Sequence, residues 1–170
     1  GAQKQAQKDT LLKIDFGTLY KPQEFNLRSL SNYGRSFTSC PDDGYFSFST
    51  QTNNCFNGDW ISINEDHTPN DKDGKMFLVN ASTRASVFFI TTLMGFKPNT
   101  TYELALWMMN LCKINGTCIP LPPDILITLE TKTGKKIISI QTGLIVSDVR
   151  PYWKRYSSLF TTPYDGDYLI

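Results

Sequence analysis

Thr100-Thr101-Tyr102-Glu103-Leu104-Ala105-Leu106-Trp107-Met108-Met109-Asn110-Leu111 reads as one long strand with apolar residues on both faces. Successive side chains of a strand point to opposite sides. One face therefore takes Tyr102, Leu104, Leu106 and Met108, and the other Glu103, Ala105, Trp107 and Met109. Glu103 interrupts the apolar pattern of the second set. The Trp107 side is expected to be the outer or concave face of a sheet in which this strand is central.

On either side of this segment the chain keeps the same two-residue period. Tyr45 to Thr50 alternates, and Trp60 to Ile63 is a short strand. Lys75 to Asn80 and Ser86 to Leu93 are expected to pair with each other. Ile125 to Thr131 and Lys135 to Thr142 flank Thr133-Gly134 as a hairpin. Trp153 to Thr162 gives another strand, and Asp167 to Ile170 begins one more. Upstream, Leu11 to Gly17 reads as the first strand, after a polar leader, residues 1–10, expected to be disordered. Helical periodicity is absent, and about ten short strands between Gly, Pro and Asn turns imply a two-sheet antiparallel β-sandwich of jelly-roll type. No linker or repeat divides residues 11–170, which are expected to form one domain.

Composition supports strands over surface helices. Hydrophobic residues make up 40%, aromatic ones 13% and charged ones only 19% of the 170 residues, the last below the quarter usual for soluble proteins. The 17 basic and 16 acidic side chains leave a net charge of +1, far from the basic footprint that phosphate neutralisation needs, so nucleic acid is not an expected partner. No stretch has the length of an apolar membrane span, so no direct membrane insertion is expected. The four cysteines, Cys40, Cys55, Cys112 and Cys118, allow three pairings, and the short separations favour Cys40 with Cys55 and Cys112 with Cys118. An even count in local pairs points to an oxidising, extracellular or periplasmic setting, against the rival of four thiols in a reducing one. Without a C-x-x-C spacing, and with a single histidine, His67, a Cys/His metal site is not expected.

Several segments then resemble known modules. Phe96-Lys97-Pro98-Asn99-Thr100-Thr101-Tyr102 resembles the L-x-P-N-T-x-Y entry into a central strand of jelly-roll carbohydrate-binding modules. Trp153 to Ser157, running on to Phe160-Thr161-Thr162-Pro163, resembles their W-x-x-Y-S…F-T strand. Asp66-His67-Thr68 with Gly74, Met76, Val79, Asn80, Ala81 and Ser82 is similar to a stretch of extracellular MAM domains. Cys40 to Tyr45 and Cys55 to Trp60 are similar to modules of large bacterial cell-surface proteins. Together these span most of residues 40–163. The resemblance implies a galactose-binding-like jelly roll used for carbohydrate binding or adhesion. Such modules close with a strand bearing an Asp-rich L-x-D-D-I segment that often supplies a calcium ligand, and this sequence reaches Ile170 without it.

Two candidate sites follow. Sugars are gripped by an aromatic face flanked by polar groups for their hydroxyls, and the expected ligand-binding residues are Trp107, Glu103, Tyr156, Arg155 and Trp60. Large aromatics are mostly buried, so a core role for Trp107 stays open, and Trp60 is either a loop aromatic or packs on the disulfide. The loop Glu65 to Gly74 carries four carboxylates. Calcium takes six to eight oxygens, and Asp66, Asp71 and Asp73, joined by Asp15, are the candidate ligands of a structural calcium ion. The same residues also suit a solvated turn.

For catalysis, His67 lacks a nucleophile signature, glutamates are scarce, and no enzyme is expected. The leading expectation is a non-catalytic, secreted or cell-surface module that binds carbohydrate within a larger surface protein. The alternative is a protein–protein adhesion or assembly module without a sugar site.

Overall fold

The computed structural model describes residues 10–21, 23, 33–114 and 121–170. Its strands are β1 (Gly34–Arg35), β2 (Tyr45–Ser49), β3 (Met76–Asn80), β4 (Thr92–Phe96), β5 (Thr101–Met108), β6 (Asp124–Thr131), β7 (Lys136–Leu144), β8 (Lys154–Thr161) and β9 (Gly166–Leu169). A single 3-10 turn, Cys55–Gly58, is the sole helical element among the described residues. The chain is all-β and sandwich-like. The leader expected to be disordered lies, apart from Thr10, outside the described residues.

The strands form three sheets, ordered β1-β2-β3, β4-β9-β6-β7 and β5-β8. Except for the parallel β1–β2 pair, every pairing is antiparallel. The alternation read from residues 100–111 sets the main core. On β5, Tyr102, Leu104, Leu106 and Met108 are half-buried, whereas Thr101, Glu103, Ala105 and Trp107 are exposed. The inward set, with Tyr156 and Phe160 of β8, packs on the four-stranded sheet through Leu93, Phe96, Leu129 and Tyr168 at one end and Ile127, Ile140 and Ile145 at the other. Leu129 and Tyr168 are fully enclosed. Burial of such side chains contributes roughly 1.5–3 kcal/mol each.

The third sheet carries an aromatic cluster. Phe77 of β3 stacks on Phe48 of β2 at 5.1 Å and meets Phe46, Phe16 and Phe89 at 5.5, 5.6 and 5.5 Å. Gly34 on β1 lies against the Tyr45 ring so closely that a Cβ would sit 2.3 Å from it, and any larger residue would displace that ring.

This cluster explains where the pairing departs from expectation. Lys75–Asn80 does not pair with Ser86–Leu93. Instead β3 pairs with β2, from Tyr45↔Asn80 to Ser49↔Met76, which aligns Phe48 with Phe77. The Phe89 ring joins the same cluster, while the ladder of that segment starts only at Thr92, in β4 against β9. Leu11–Gly17 is likewise not a strand. Phe16 and Gly17 have φ of 62° and 72°, a left-handed geometry incompatible with an extended run. The turn is held by the Gln23 side-chain oxygen, which accepts the Asp15 and Phe16 N–H groups at 3.0 Å each. It places the Phe16 ring on Phe48 and Phe77. Trp60–Ile63 makes only the isolated bridges Trp60↔Cys112 and Thr52↔Ile63. The hairpin of β6 and β7 forms as expected, with Gly134 at φ 89° in its turn.

Cys40 and Cys55 form a disulfide with Cα atoms 5.3 Å apart. The other expected pair cannot be followed, because Cys118 lies outside the described residues. No helix among the described residues is long and apolar enough to cross a membrane.

Candidate functional site

The register of β5 with β8 decides which candidate residues share a surface. Trp107 lies opposite Arg155, Ala105 opposite Ser157 and Glu103 opposite Leu159, while Leu106 lies opposite Tyr156. Directly opposed residues project to the same side. Trp107, Glu103 and Arg155 are therefore together on the outer face. Tyr156 is on the inner one, 9% exposed within the core, and cannot contact a ligand on the Trp107 face.

Trp60 is also removed from that surface. It is 8% exposed, edge-on to Phe56 at 5.0 Å, and its segment is tied to the end of β5 by Ile61 N–H donating to Leu111 O at 2.7 Å. Its role is packing beside Cys55, one of the two roles open in the sequence.

Trp107 itself is 43% exposed. The imidazole of His67 stacks on its indole, with centroids 3.8 Å apart and planes inclined by 21°. Trp153 meets His67 edge-on at 6.0 Å. His67 thus pins the acidic loop to the outer face of β5, a contact that sequence reading missed. An aromatic pair of this kind contributes about 0.5–1.5 kcal/mol beyond its buried area.

Beside the indole, the Arg155 guanidinium extends along the ribbon. Its Nη2 donates to Glu103 Oε1 at 2.5 Å and its Nη1 to Ser157 Oγ at 3.0 Å. Both ion-pair side chains remain partly open to solvent, 40% for Arg155 and 34% for Glu103. An exposed pair of this type contributes only about 0–1 kcal/mol to stability. Its consequence is positional: a planar donor group and a carboxylate are held next to an exposed indole.

In the loop, the structure brings together Asp66 and Asp71 and leaves Asp15 apart. A Cβ on Gly74 would lie 2.6 Å from Asp66 Oδ1 and 2.5 Å from Asp71 Oδ2, so both carboxylates close over the glycine, and a larger residue there would push them aside. Asp71 Oδ1 is buried without a hydrogen-bond partner. Burial raises the Asp66 pKa above its ordinary value, with the neighbouring Asp71 charge adding to the rise and a hydrogen bond from Thr68 opposing it. Asp73 lines the same hollow. Asp15 is engaged elsewhere: its Oδ1 accepts the Gly17 N–H at 3.0 Å and its Oδ2 faces Lys13 Nζ at 3.8 Å. Among the described residues, no three His, Cys, Asp or Glu side chains converge as a metal-holding group.

The pair gives a pH prediction. The folded state keeps a proton on Asp66 at pH values where the unfolded chain has lost it, so this group's contribution to stability falls as pH rises through the window above the ordinary carboxylate pKa. Asp66→Asn should remove that slope and be more stable than the parent at neutral pH. Melting curves of both proteins from acid to neutral pH check it, and parallel profiles would refute it.

Fold and site together define an all-β, disulfide-stapled chain with an exposed tryptophan on the outer face of a two-stranded ribbon. No family model matches the chain, nor does any curated protein or solved structure.

Proposed function

We propose that this chain is a non-catalytic, extracellular binding module of galactose-binding-like jelly-roll type, and that its ligand is a carbohydrate held on the outer face of β5 and β8. The reading is supported above all by one observation, the half-exposed Trp107 indole braced by His67 and flanked by the Arg155–Glu103 pair. A pyranose offers an apolar face to an indole and hydroxyls to the polar groups around it. The disulfide agrees with a secreted or surface setting within a larger protein.

The direct test is Trp107→Ala. Retention on a polysaccharide gel should fall about tenfold or more, equivalent to at least 1.4 kcal/mol. The melting temperature should move by only a few degrees, since what the fold loses is one surface ring contact of about 1 kcal/mol. Unchanged retention would refute the assignment of the site.

Calcium belongs to the same proposal as a structural ion of the loop, with Asp66 and Asp71 as its carboxylates and the orphaned Asp71 Oδ1 as the fitting observation. Two carboxylates leave most of calcium's six to eight positions to backbone carbonyls and water. Calcium is then expected to raise the melting temperature of the parent and not of Asp71→Asn. Equal curves with calcium and with a chelator would remove the ion.

A second reading, adhesion or assembly through protein contacts, is favoured by the ladders of the ribbon. Among the described residues β5 and β8 pair only with each other, and an unpaired strand edge can accept a partner's strand. A blank glycan array together with concentration-dependent dimerisation in sedimentation would favour it over the sugar site.

A further inference from the structure

We infer that the outer face of β5 and β8 binds a linear polysaccharide across several consecutive rings, and not an isolated sugar. This rests on the carbohydrate reading above and names its substrate class.

The shape of the surface comes first. The ladder of β5 with β8 runs unbroken from Thr101↔Thr161 to Met108↔Lys154. On its outer side, every residue of β5 from Thr101 to Trp107 and of β8 from Arg155 to Thr161 is exposed. At about 3.4 Å per residue this strip is roughly 20 Å long, and two strands about 5 Å apart leave it narrow. A single small ligand is held by a concave pocket that buries most of its surface. A narrow strip open along its whole length suits a chain laid along the strands.

The contacts also recur along that length. Trp107, braced by His67, supplies an aromatic ring at one end. The Arg155 guanidinium follows, bonded to Ser157 Oγ and to Glu103, and with five N–H donors it keeps others for ligand hydroxyls. Leu159, 66% exposed and opposite Glu103, adds a second apolar contact. Thr101 and Thr161 face each other at the far end, their hydroxyls 3.0 Å apart. Apolar and polar contacts therefore alternate from the indole to the threonine pair. A chain of pyranoses repeats an apolar ring face and a rim of hydroxyls in the same manner.

Spacing separates the chain from the single sugar. The partner of Leu159 is Glu103, four residues from Trp107, which is roughly 13 Å along a strand. One ring stacked on the indole does not reach that far. Binding costs a ligand its translational and rotational freedom, and contact with one indole offsets little of it. Affinity has to accumulate over successive rings.

The test is calorimetry of the 170-residue chain against β-glucan, xylan, mannan and galactan oligomers, each from the monosaccharide to the hexasaccharide. In at least one series, affinity should rise by about tenfold or more with length, equivalent to at least 1.4 kcal/mol. Leu159→Ser should flatten that rise by about threefold. Its melting curve, read alongside, reports that the fold is intact, as expected for a change at an exposed position. Trp107-dependent binding of a monosaccharide as tight as that of its hexasaccharide would overturn the inference and leave the carbohydrate site standing. A rise with length that Leu159→Ser does not alter would overturn it too, since the chain would then lie off the strip. Failure to bind any saccharide would instead bring down the carbohydrate reading, and the inference with it.

Discussion

Tyr168→Ala is expected to lower stability by about 3–5 kcal/mol, the range for deleting a large buried aromatic side chain. The residue has no exposed surface and lies on β9, between β4 and β6, facing Leu93 on one side and Thr131 on the other. Its ring meets Phe96 edge-on at 5.2 Å. Its hydroxyl donates to Tyr164 O at 2.7 Å and accepts the Tyr164 N–H at 3.2 Å. Truncation thus opens a cavity where the sheet and the ribbon meet, and also releases the loop before β9. Tyr168→Phe separates the two effects, since it keeps the ring and loses only the hydroxyl bonds, at about 1 kcal/mol. Chemical denaturation of both variants checks the prediction. A loss for the alanine variant no larger than for the phenylalanine one would show that the ring does not fill the core.

Opening the Cys40–Cys55 bridge, by reduction or by the paired change to serine, should cost about 3 kcal/mol for a loop of this length. The sequence separation is 15 residues. For a chain of this size the melting temperature should fall by roughly 6–12 °C. The loss should also reach the site. Cys55 opens the 3-10 turn that leads into Trp60, and the Trp60 segment is bound to the end of β5 through Ile61 and through Lys113, whose N–H donates to Asp59 O at 2.8 Å. The chain then continues to His67 and its stack on Trp107. Tryptophan fluorescence should therefore shift on reduction before global unfolding. A reduced protein with the parent melting curve would refute the structural role of the bridge.

Two-residue alternation was enough to place Trp107 and Glu103 on the outward side of β5, because burial follows backbone pleat wherever one face meets a core. The β6–β7 hairpin was legible for a similar reason, as Gly134 supplies the positive φ its turn requires. So was the Cys40–Cys55 pair, through its short separation. Tyr156 could have been assigned from the same rule. It shares its parity on β8 with Phe160, and that apolar pair marks the inner side, whereas Arg155, Ser157 and Leu159 mark the outer one.

Other features depended on contacts between distant segments. The choice of β2 over Ser86–Leu93 as partner of β3 follows from which phenylalanines stack, and every candidate strand there carries them. The turn at Phe16 and Gly17 overrides a strand-like pattern because Gln23 satisfies two backbone N–H groups and the half-buried ring gains contacts with Phe48 and Phe77.

Read alone, the order of residues determined an all-β chain, the outward side of β5 and one disulfide, since each depends on local period or short spacing. Only the tertiary structure joined His67 to Trp107, Arg155 to Glu103 and Asp66 to Asp71, and sent Trp60 inward. The first two contacts and the placement of Trp60 are set by strand register and by packing between elements far apart in the chain, and the third by the closure of a loop over Gly74, which no periodicity encodes.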